Sequence, residues 1–234
     1  MLKYDEVAQK IEQNIYTAAL AAGTRLANIE ELIKQYQVSR TTIIKALDIL
    51  ERRGIIYQQQ GSGIFVRQKK KPGYISFIES HGFTNDQKQQ PSFTKVIELT
   101  QVKPSQTIAK ALQCDLNEDL YLVKRLRYIN NQIHCLECSY YRKKIVPYLN
   151  IEITSGSIFN YIKQVFNINI GFSDKYFEVT TLEADNAALL ELPQGSPTLY
   201  VEEIFYTSAG EPFDYSIKHY HYKNSKYFVQ SQLS

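Results

Sequence analysis

Two arginines two residues apart, Arg125 and Arg127, lie in a run rich in β-forming residues, LYLVKRLRYI over 120–129. On a strand, residues i and i+2 share a face. Both guanidiniums then point the same way and can hold a phosphate or carboxylate through bidentate hydrogen bonds. The plainer alternative is that they pair with Glu202 or Glu203 on a neighbouring strand, or are solvated. Glu137, acceptor-only when ionised, suits sugar hydroxyls, although an isolated strand glutamate is more often a surface residue. Ser157 stands where a helix should begin, so it can cap that helix and also donate to an anion. A second set, Ser39-Arg40-Thr41-Thr42, has other chemistry. Arginine suits a guanine edge or a phosphate, and the threonines suit phosphates. His134-Cys135 and Cys138 make a poor metal cluster, because residues three apart on a strand face opposite sides unless a bulge intervenes. His219 and His221 share a face with no carboxylate or cysteine beside them and read as packing residues. No metal or cofactor is expected.

The elements that must position these groups follow from periodicity. Tyr4, Val7, Ala8, Ile11 and Ile15 recur at steps of three and four, marking the apolar stripe of a first helix. Ala22-Gly23 interrupts it, and a short second helix turns Leu32, Ile33 and Tyr36 inward. Ser39 is a good N-cap for a third helix that buries Ile43, Ala46, Leu47 and Leu50 and stops at Gly54. Residues 55–58 read as a strand, 59–63 as a turn and 64–67 as a returning strand. Two helices on a tight turn followed by a hairpin make a winged helix-turn-helix, whose second helix points its first turn at base edges. Ser39, Arg40, Thr41, Thr42, Ile44 and Lys45 then face double-stranded DNA, Ile44 being able to touch thymine methyls. Gly61, Ser62 and Gly63 form the wing tip, where glycine permits close approach to a phosphate backbone. The basic run from Arg67 through Lys69, Lys70 and Lys71 either lies along DNA or is a solvated linker before Pro72-Gly73.

Charge is distributed to match. Residues 1–71 carry 12 Lys and Arg against 7 Asp and Glu, whereas 72–234 carry 15 against 17. A basic head on a faintly acidic body suits a nucleic-acid-binding unit joined to a non-binding one. With 44% hydrophobic and 22% charged residues the chain is not disordered. No apolar run is long enough for a bilayer, and three cysteines, Cys114, Cys135 and Cys138, do not make a disulfide framework. The segment MLKYDEVAQK has no apolar signal core, so the expected location is the cytoplasm, with no membrane partner.

The joint spacing of Tyr4…Ile11…Ile15, Gly23-x-x-Leu26, Glu31-Leu32, Val38-Ser39-Arg40-x-Thr42, Ala46-Leu47-x-x-Leu50, Gly54-Ile55-Ile56 and Gly61-x-Gly63-x-Phe65-Val66 resembles the GntR family of bacterial regulators across residues 1–67. Three departures stand out. Ala27-Asn28-Ile29 replaces the usual Pro-Ser-Glu, Glu30 replaces a common basic residue, and Ile44 replaces a common Arg.

From Tyr74 onward the sequence turns to strands, expected at 74–78, 94–99, 120–129, 133–141, 199–206 and 213–222. Asn130-Asn131 and residues 208–211 serve as hairpin turns. Helices are expected at 105–112, 157–166 (with Ile158, Tyr161, Ile162 and Val165 inward) and 184–192. The fold class is α+β, an antiparallel sheet with helices on one side beside the N-terminal head. Gly82-Phe83-Thr84, Lys124-Arg125-x-Arg127, Glu137-x-Ser139, Ser157-Ile158-Phe159 and Glu211-Pro212-Phe213-Asp214-Tyr215 resemble the UTRA domain of the HutC-type GntR branch.

That resemblance implies a chorismate-lyase-like fold used as a ligand sensor. It places effector contacts at Phe83, Thr84, Arg125, Arg127, Glu137, Ser157, Phe159 and Tyr215, although Phe159 stands where the family often has Tyr. It further implies a homodimer on a pseudo-palindromic operator, with repression the commoner mode in the class. A sugar phosphate leads as effector, ahead of a non-phosphorylated sugar or other small metabolite. The expected organisation is a head at 1–67, a linker at 68–73 and a sensor and dimerisation unit at 74–234. A lyase-like enzyme is the remote alternative, disfavoured because the sequence shows no nucleophile–base pair, metal motif or phosphate loop and an enzyme leaves the wing unexplained.

Overall fold

The computed structural model describes residues 2–67, 71, 73–76 and 91–229. Two compact units divide it, the first made of the residues up to Tyr74 together with Phe228 and Val229, the second running from Ile75 to Tyr227.

In the first unit, α1 (Lys3–Thr17), α2 (Ile29–Tyr36) and α3 (Arg40–Arg52) enclose one core. The predicted apolar positions Val7, Ala8, Ile11, Ile15, Leu32, Ile43, Ala46, Leu47 and Leu50 are all buried in it. The departure at 27–29 has a structural account. Asn28 caps α2 by accepting from the Glu31 amide at 3.0 Å, and Glu31 returns a carboxylate to the Asn28 amide at 2.8 Å. Gln37 in the left-handed region ends α2, and the Ser39 hydroxyl then accepts from the Thr42 amide at 3.2 Å to open α3. Gly54, at φ 63°, stops α3. Strands β1 (Ile56–Gln59) and β2 (Gly63–Val66) pair antiparallel, and Ile56, Ile64 and Val66 dock into the core. The wing is pinned at its root, since the Glu51 carboxylate accepts from the Gln58 amide and side chain at 3.0 and 2.9 Å.

The second unit comprises β3 (Ile75–Ser76), β4 (Ser92–Val102), α4 (Gln106–Leu112), β5 (Leu120–Ile129), β6 (Gln132–Arg142), α5 (Ile151–Ser155), α6 (Ile158–Phe166), β7 (Ile170–Thr181), α7 (Ala184–Leu189), β8 (Pro197–Thr207), β9 (Pro212–His221) and β10 (Tyr227–Phe228). Six strands form one sheet in the order β4-β5-β6-β9-β8-β7, antiparallel throughout; β3 and β10 make a separate pair. Asn130 and Asn131, at φ 50° and 60°, turn β5 into β6 as expected.

Helices cover both faces, which corrects the one-sided expectation. One face carries Tyr121, Val123, Tyr141, Phe205 and Phe213 against Ile158 and Ile162 of α6. The other carries Leu120, Ile204 and Tyr215 against Leu112 of α4, and Leu126 and Leu136 against α7. The strands are therefore apolar on alternate residues of both parities, a pattern that a one-sided reading cannot use. Val165 is 58% exposed rather than inward, and α6 meets the cluster through Ile158 and Ile162, with Tyr161 partly buried against it. Strand β7 and helix α5 were not anticipated. β7 is an edge strand with Phe172, Tyr176, Phe177 and Val179 all exposed, so it lacks the alternation that marks a half-buried strand.

Candidate nucleic-acid interface and effector site

On the head, Arg40, Thr41, Ile44 and Lys45 are exposed on consecutive turns of α3, opposite buried Ile43, Ala46 and Leu47. Ser39 and Thr42 are occupied with the cap, their hydroxyls 2.9 Å apart. Lys45 Nζ lies 5.5 Å from the centre of the Tyr4 ring. Gly61, at φ 76°, and Ser62, whose amide donates to the Gln59 carbonyl at 3.0 Å, form the wing turn. Gly63 has a second structural demand on it. At φ 128° it lies under the Arg25 guanidinium, and a Cβ there would come within 2.9 Å of Nε. Arg25, paired with Phe65 beside the wing, is a DNA-facing candidate that the sequence reading passed over. Glu30, which stands where a basic residue is common, forms an ion pair with Arg40 through its carboxylate. Lys69 and Lys70 lie outside the described residues.

On the sheet, strand register sets one charged face. Arg127 and Arg125 pair across with Cys135 and Glu137, Glu137 with Lys218, and Glu203 with Ser216 on one side and Lys175 on the other. Arg125 Nη2 donates to Glu137 Oε2 at 2.6 Å, and Arg127 Nε donates to the same oxygen at 3.0 Å. Arg127 Nη1 donates to Thr94 Oγ1 at 2.8 Å, and Arg125 Nη1 to the Thr154 carbonyl at 3.1 Å. Arg125 Nε is buried without a hydrogen-bond partner among the described residues. Lys218 donates to Glu203 at 2.7 Å and stands 3.9 Å from Glu137; Lys175 is 3.3 Å from Glu203, which also accepts from Ser173 at 2.8 Å. Asp214 accepts from Ser216 at 2.8 Å, and the Ser216 hydroxyl lies 2.7 Å from that of Ser139.

This cluster is nearly closed to water, with Arg125, Arg127, Glu137, Glu203 and Asp214 all buried. Burial alone would raise every carboxylate in it. For Glu137 the charges of Arg125, Arg127 and Lys218 overcome burial and hold the carboxyl far below its usual range. Glu203 is lowered likewise by Lys218 and Lys175. Asp214 faces no arginine at contact distance. Burial pushes it up to about 8, the Ser216 hydrogen bond only partly opposing. Asp214 thus favours its protonated form, while Arg125 and Arg127 pair with Glu137, and Lys175 and Lys218 pair with Glu203. Among the described residues, four cationic side chains thus converge on two carboxylates held in their ionised form.

Two expectations need correction. Arg125 and Arg127 do not pair with Glu202 or Glu203, because β8 is three strands away from β5 in the sheet. Tyr215 points to the opposite face, packed with Leu112, Leu120 and Ile204, since the site belongs to its neighbours Asp214 and Ser216. Ser157 does cap α6, accepting from the Asn160 amide at 3.3 Å. Phe159 lies edge-on to Phe205, ring centres 4.7 Å apart, as part of the apolar layer beside the charged groups. Phe83 and Thr84 lie outside the described residues. Cys135 faces the charged cluster, whereas Cys138 sits on the other parity. Among the described residues no helix is long and apolar enough to cross a membrane.

A winged helix-turn-helix joined to a sheet unit with a buried ionic face defines a DNA-binding regulator that answers to a small molecule. Comparison with known proteins agrees. Residues 3–66 match the family described as bacterial regulatory proteins, gntR family, and residues 87–225 match the UTRA domain. The chain is 46% identical over 231 residues to the HTH-type transcriptional regulator YydK of Bacillus subtilis (strain 168), covering 99% of this chain and 98% of that protein. The crystal structure of YydK superposes with a TM-score of 0.87 at 45% identity, over 99% of this chain and 100% of that one. More distant are the transcriptional repressor NagR of B. subtilis (strain 168), 23% identical over 91% of this chain and 88% of that protein, and a probable fructoselysine utilization operon transcriptional repressor of Escherichia coli (strain K12), 25% identical over 90% and 87%. The chain belongs to the gntR family and carries a UTRA domain. It is a transcriptional regulator rather than an enzyme, and it binds DNA and, through the UTRA domain, a small-molecule effector.

Proposed function

We propose that the chain is a cytoplasmic repressor, acting as a homodimer on a pseudo-palindromic operator, and that its effector is a sugar phosphate held by Arg125 and Arg127. Its organisation is a head at 1–67, a linker at 68–73 and a sensor at 74–234. Two relatives named as repressors, one of a fructoselysine utilization operon, favour repression in sugar metabolism. Arg40, Thr41, Ile44 and Lys45 contact DNA from α3, and Gly61 and Ser62 from the wing. One observation carries the effector reading, the convergence of Arg125, Arg127, Lys175 and Lys218 on the two carboxylates Glu137 and Glu203 in a largely buried face. A buried charge is costly unless paired, so an anion gains where a neutral sugar does not. Glu137 bridges both arginines through one oxygen. A phosphate with three acceptor oxygens can engage the same fork donors, including Arg125 Nε.

The test is Arg127→Ala. Because Arg127 also braces Glu137 and Thr94, the apo variant should melt lower than wild type. The discriminating quantity is ligand charge. In calorimetric titrations a sugar phosphate should lose roughly 2–4 kcal/mol, while the same sugar without phosphate binds both proteins about equally weakly. Equal losses for both ligands would mean the arginines only brace the sheet.

A further inference from the structure

We infer that Glu30 is a specificity-determining residue of the DNA-binding head: its carboxylate holds Arg40 and turns phosphate away, so that Arg40 is presented to a base edge. The inference rests on the placement of Arg40 against DNA. Glu30 sits in the first turn of α2 and Arg40 is the first residue of α3, and the tight turn between them brings the two side chains into an ion pair. Both side chains are well exposed, at 65% and 61%. An exposed pair adds little to stability, so holding the fold together does not explain a carboxylate at this spot.

Its surroundings give it another consequence. A helix N-terminus ordinarily attracts phosphate through unpaired amides and its dipole. At α2 the Glu31 amide is taken by the Asn28 side chain, and the Asn28 amide by Glu31. Glu30 and Glu31 further place two negative charges on that first turn. Two of the amides at the end of α2 are thus taken, and the charges of Glu30 and Glu31 oppose a phosphate approaching Arg40. Arginine has five donors in a rigid fork. The Glu30 contact uses Nη1 and fixes the side chain, leaving the remaining donors for the two acceptors of a guanine. Non-specific affinity comes from phosphate contacts, whereas discrimination comes from base edges. A carboxylate here therefore weakens the first more than the second.

The experiment uses the full chain. Wild type selects preferred duplexes from a randomised double-stranded pool. Affinities of wild type, Glu30→Gln and Arg40→Ala are then measured on a selected duplex and on a scrambled duplex, over a range of salt. Glu30→Gln should bind the scrambled duplex about three- to tenfold tighter, with a salt slope steeper by up to about 0.9 for one added phosphate contact. The selected duplex should change less, so the ratio of the two affinities falls, and reselection should broaden one base position. A ratio that stays the same or rises overturns the inference while leaving Arg40 at the interface. If Arg40→Ala binds the selected duplex as tightly as wild type, the placement of Arg40 fails and the inference with it.

Discussion

Replacing Asp214 with asparagine should remove a pH dependence that the buried cluster builds into the protein. In the folded chain burial pushes Asp214 up to about 8, whereas an unfolded aspartate titrates near ~3.9. Between those limits the folded state keeps a proton that the unfolded state loses. The contribution of this group is thus fully present below about pH 4, declines as pH rises, and is gone above about pH 8. The slope is at most ~1.4 kcal/mol per pH unit, or roughly 3 kcal/mol between pH 5 and 7.5. For a unit of this size that corresponds to about 5–10 °C in melting temperature. The asparagine side chain would keep an acceptor for the Ser216 hydroxyl, now 2.8 Å from Asp214, but would have no proton to lose. Melting curves of both proteins from pH 5 to 9 should therefore converge at low pH and separate as pH rises, the variant melting higher. Affinity for an anionic ligand gives a second readout. Ionisation of Asp214 adds a negative charge on the face that carries the arginines, so wild type should bind a sugar phosphate several-fold more weakly at pH 9 than at pH 7.5, while the variant changes little. Parallel melting profiles with identical ligand responses would refute the assignment of a neutral Asp214.

Arg127→Lys should recover only part of the anion affinity lost in Arg127→Ala, because an ammonium cannot span Glu137, Thr94 and a ligand as the planar fork does; full recovery in the same titrations would show that charge alone suffices there. Gly63→Ala should destabilise the head by about 1–2 kcal/mol in denaturant unfolding, since φ 128° strains any L side chain and Arg25 must move aside. It should also weaken DNA binding if Arg25 is held in a DNA-facing position by that glycine; unfolding and binding both unchanged would remove Arg25 and Gly63 from the interface.

Much of the head was legible because its signals are local. The buried stripe of α1, the Ser39 cap and the Gly54 stop each depend on residues within a turn or two, and each is found where spacing places it. The capping role of Asn28 with Glu31 is equally local, an Asn three residues before a Glu, although Ala27-Asn28-Ile29 lacks the family's Pro-Ser-Glu pattern. Glu30 illustrates a different obstacle. Its partner Arg40 is ten residues away, and only the angle between α2 and α3 brings them together.

The sensor site was legible in parity and illegible in order. That Arg125 and Arg127 share a face follows from a spacing of two, whatever the neighbouring strands are. Which acids meet them depends on strand order. Chain proximity gave no reason to set β9 beside β6 and send β8 outward, so Glu203 was a reasonable partner by sequence and an unreachable one in the sheet. Tyr215 failed by a single residue. Because the side-chain period is two, a shift of one carries every group to the other face. In a sheet apolar on both faces, hydrophobicity does not say which parity faces the ligand. The register then decides. Pairing Tyr141 with Asp214 and Ser139 with Ser216 puts Asp214, Ser216 and Lys218 on the side of the arginines and leaves Tyr215 to the α4 layer. The same register explains why the convergence of cations went unseen: Lys175 and Lys218 are 43 positions apart in chain numbering, and they meet only at Glu203. A face that joins Arg125, Arg127, Glu137, Lys218, Glu203 and Lys175 into one ionic chain has more than one way to share its acceptors. On the proposed reading, an anion entering at the arginine end would compete with Glu137, and the change would pass to Lys218 and Glu203 because those groups share acceptor oxygens. Such a chain, running over five strands, would report binding without any large movement of the sheet, which is the property a sensor needs if it is to bias one arrangement of the regulator over another.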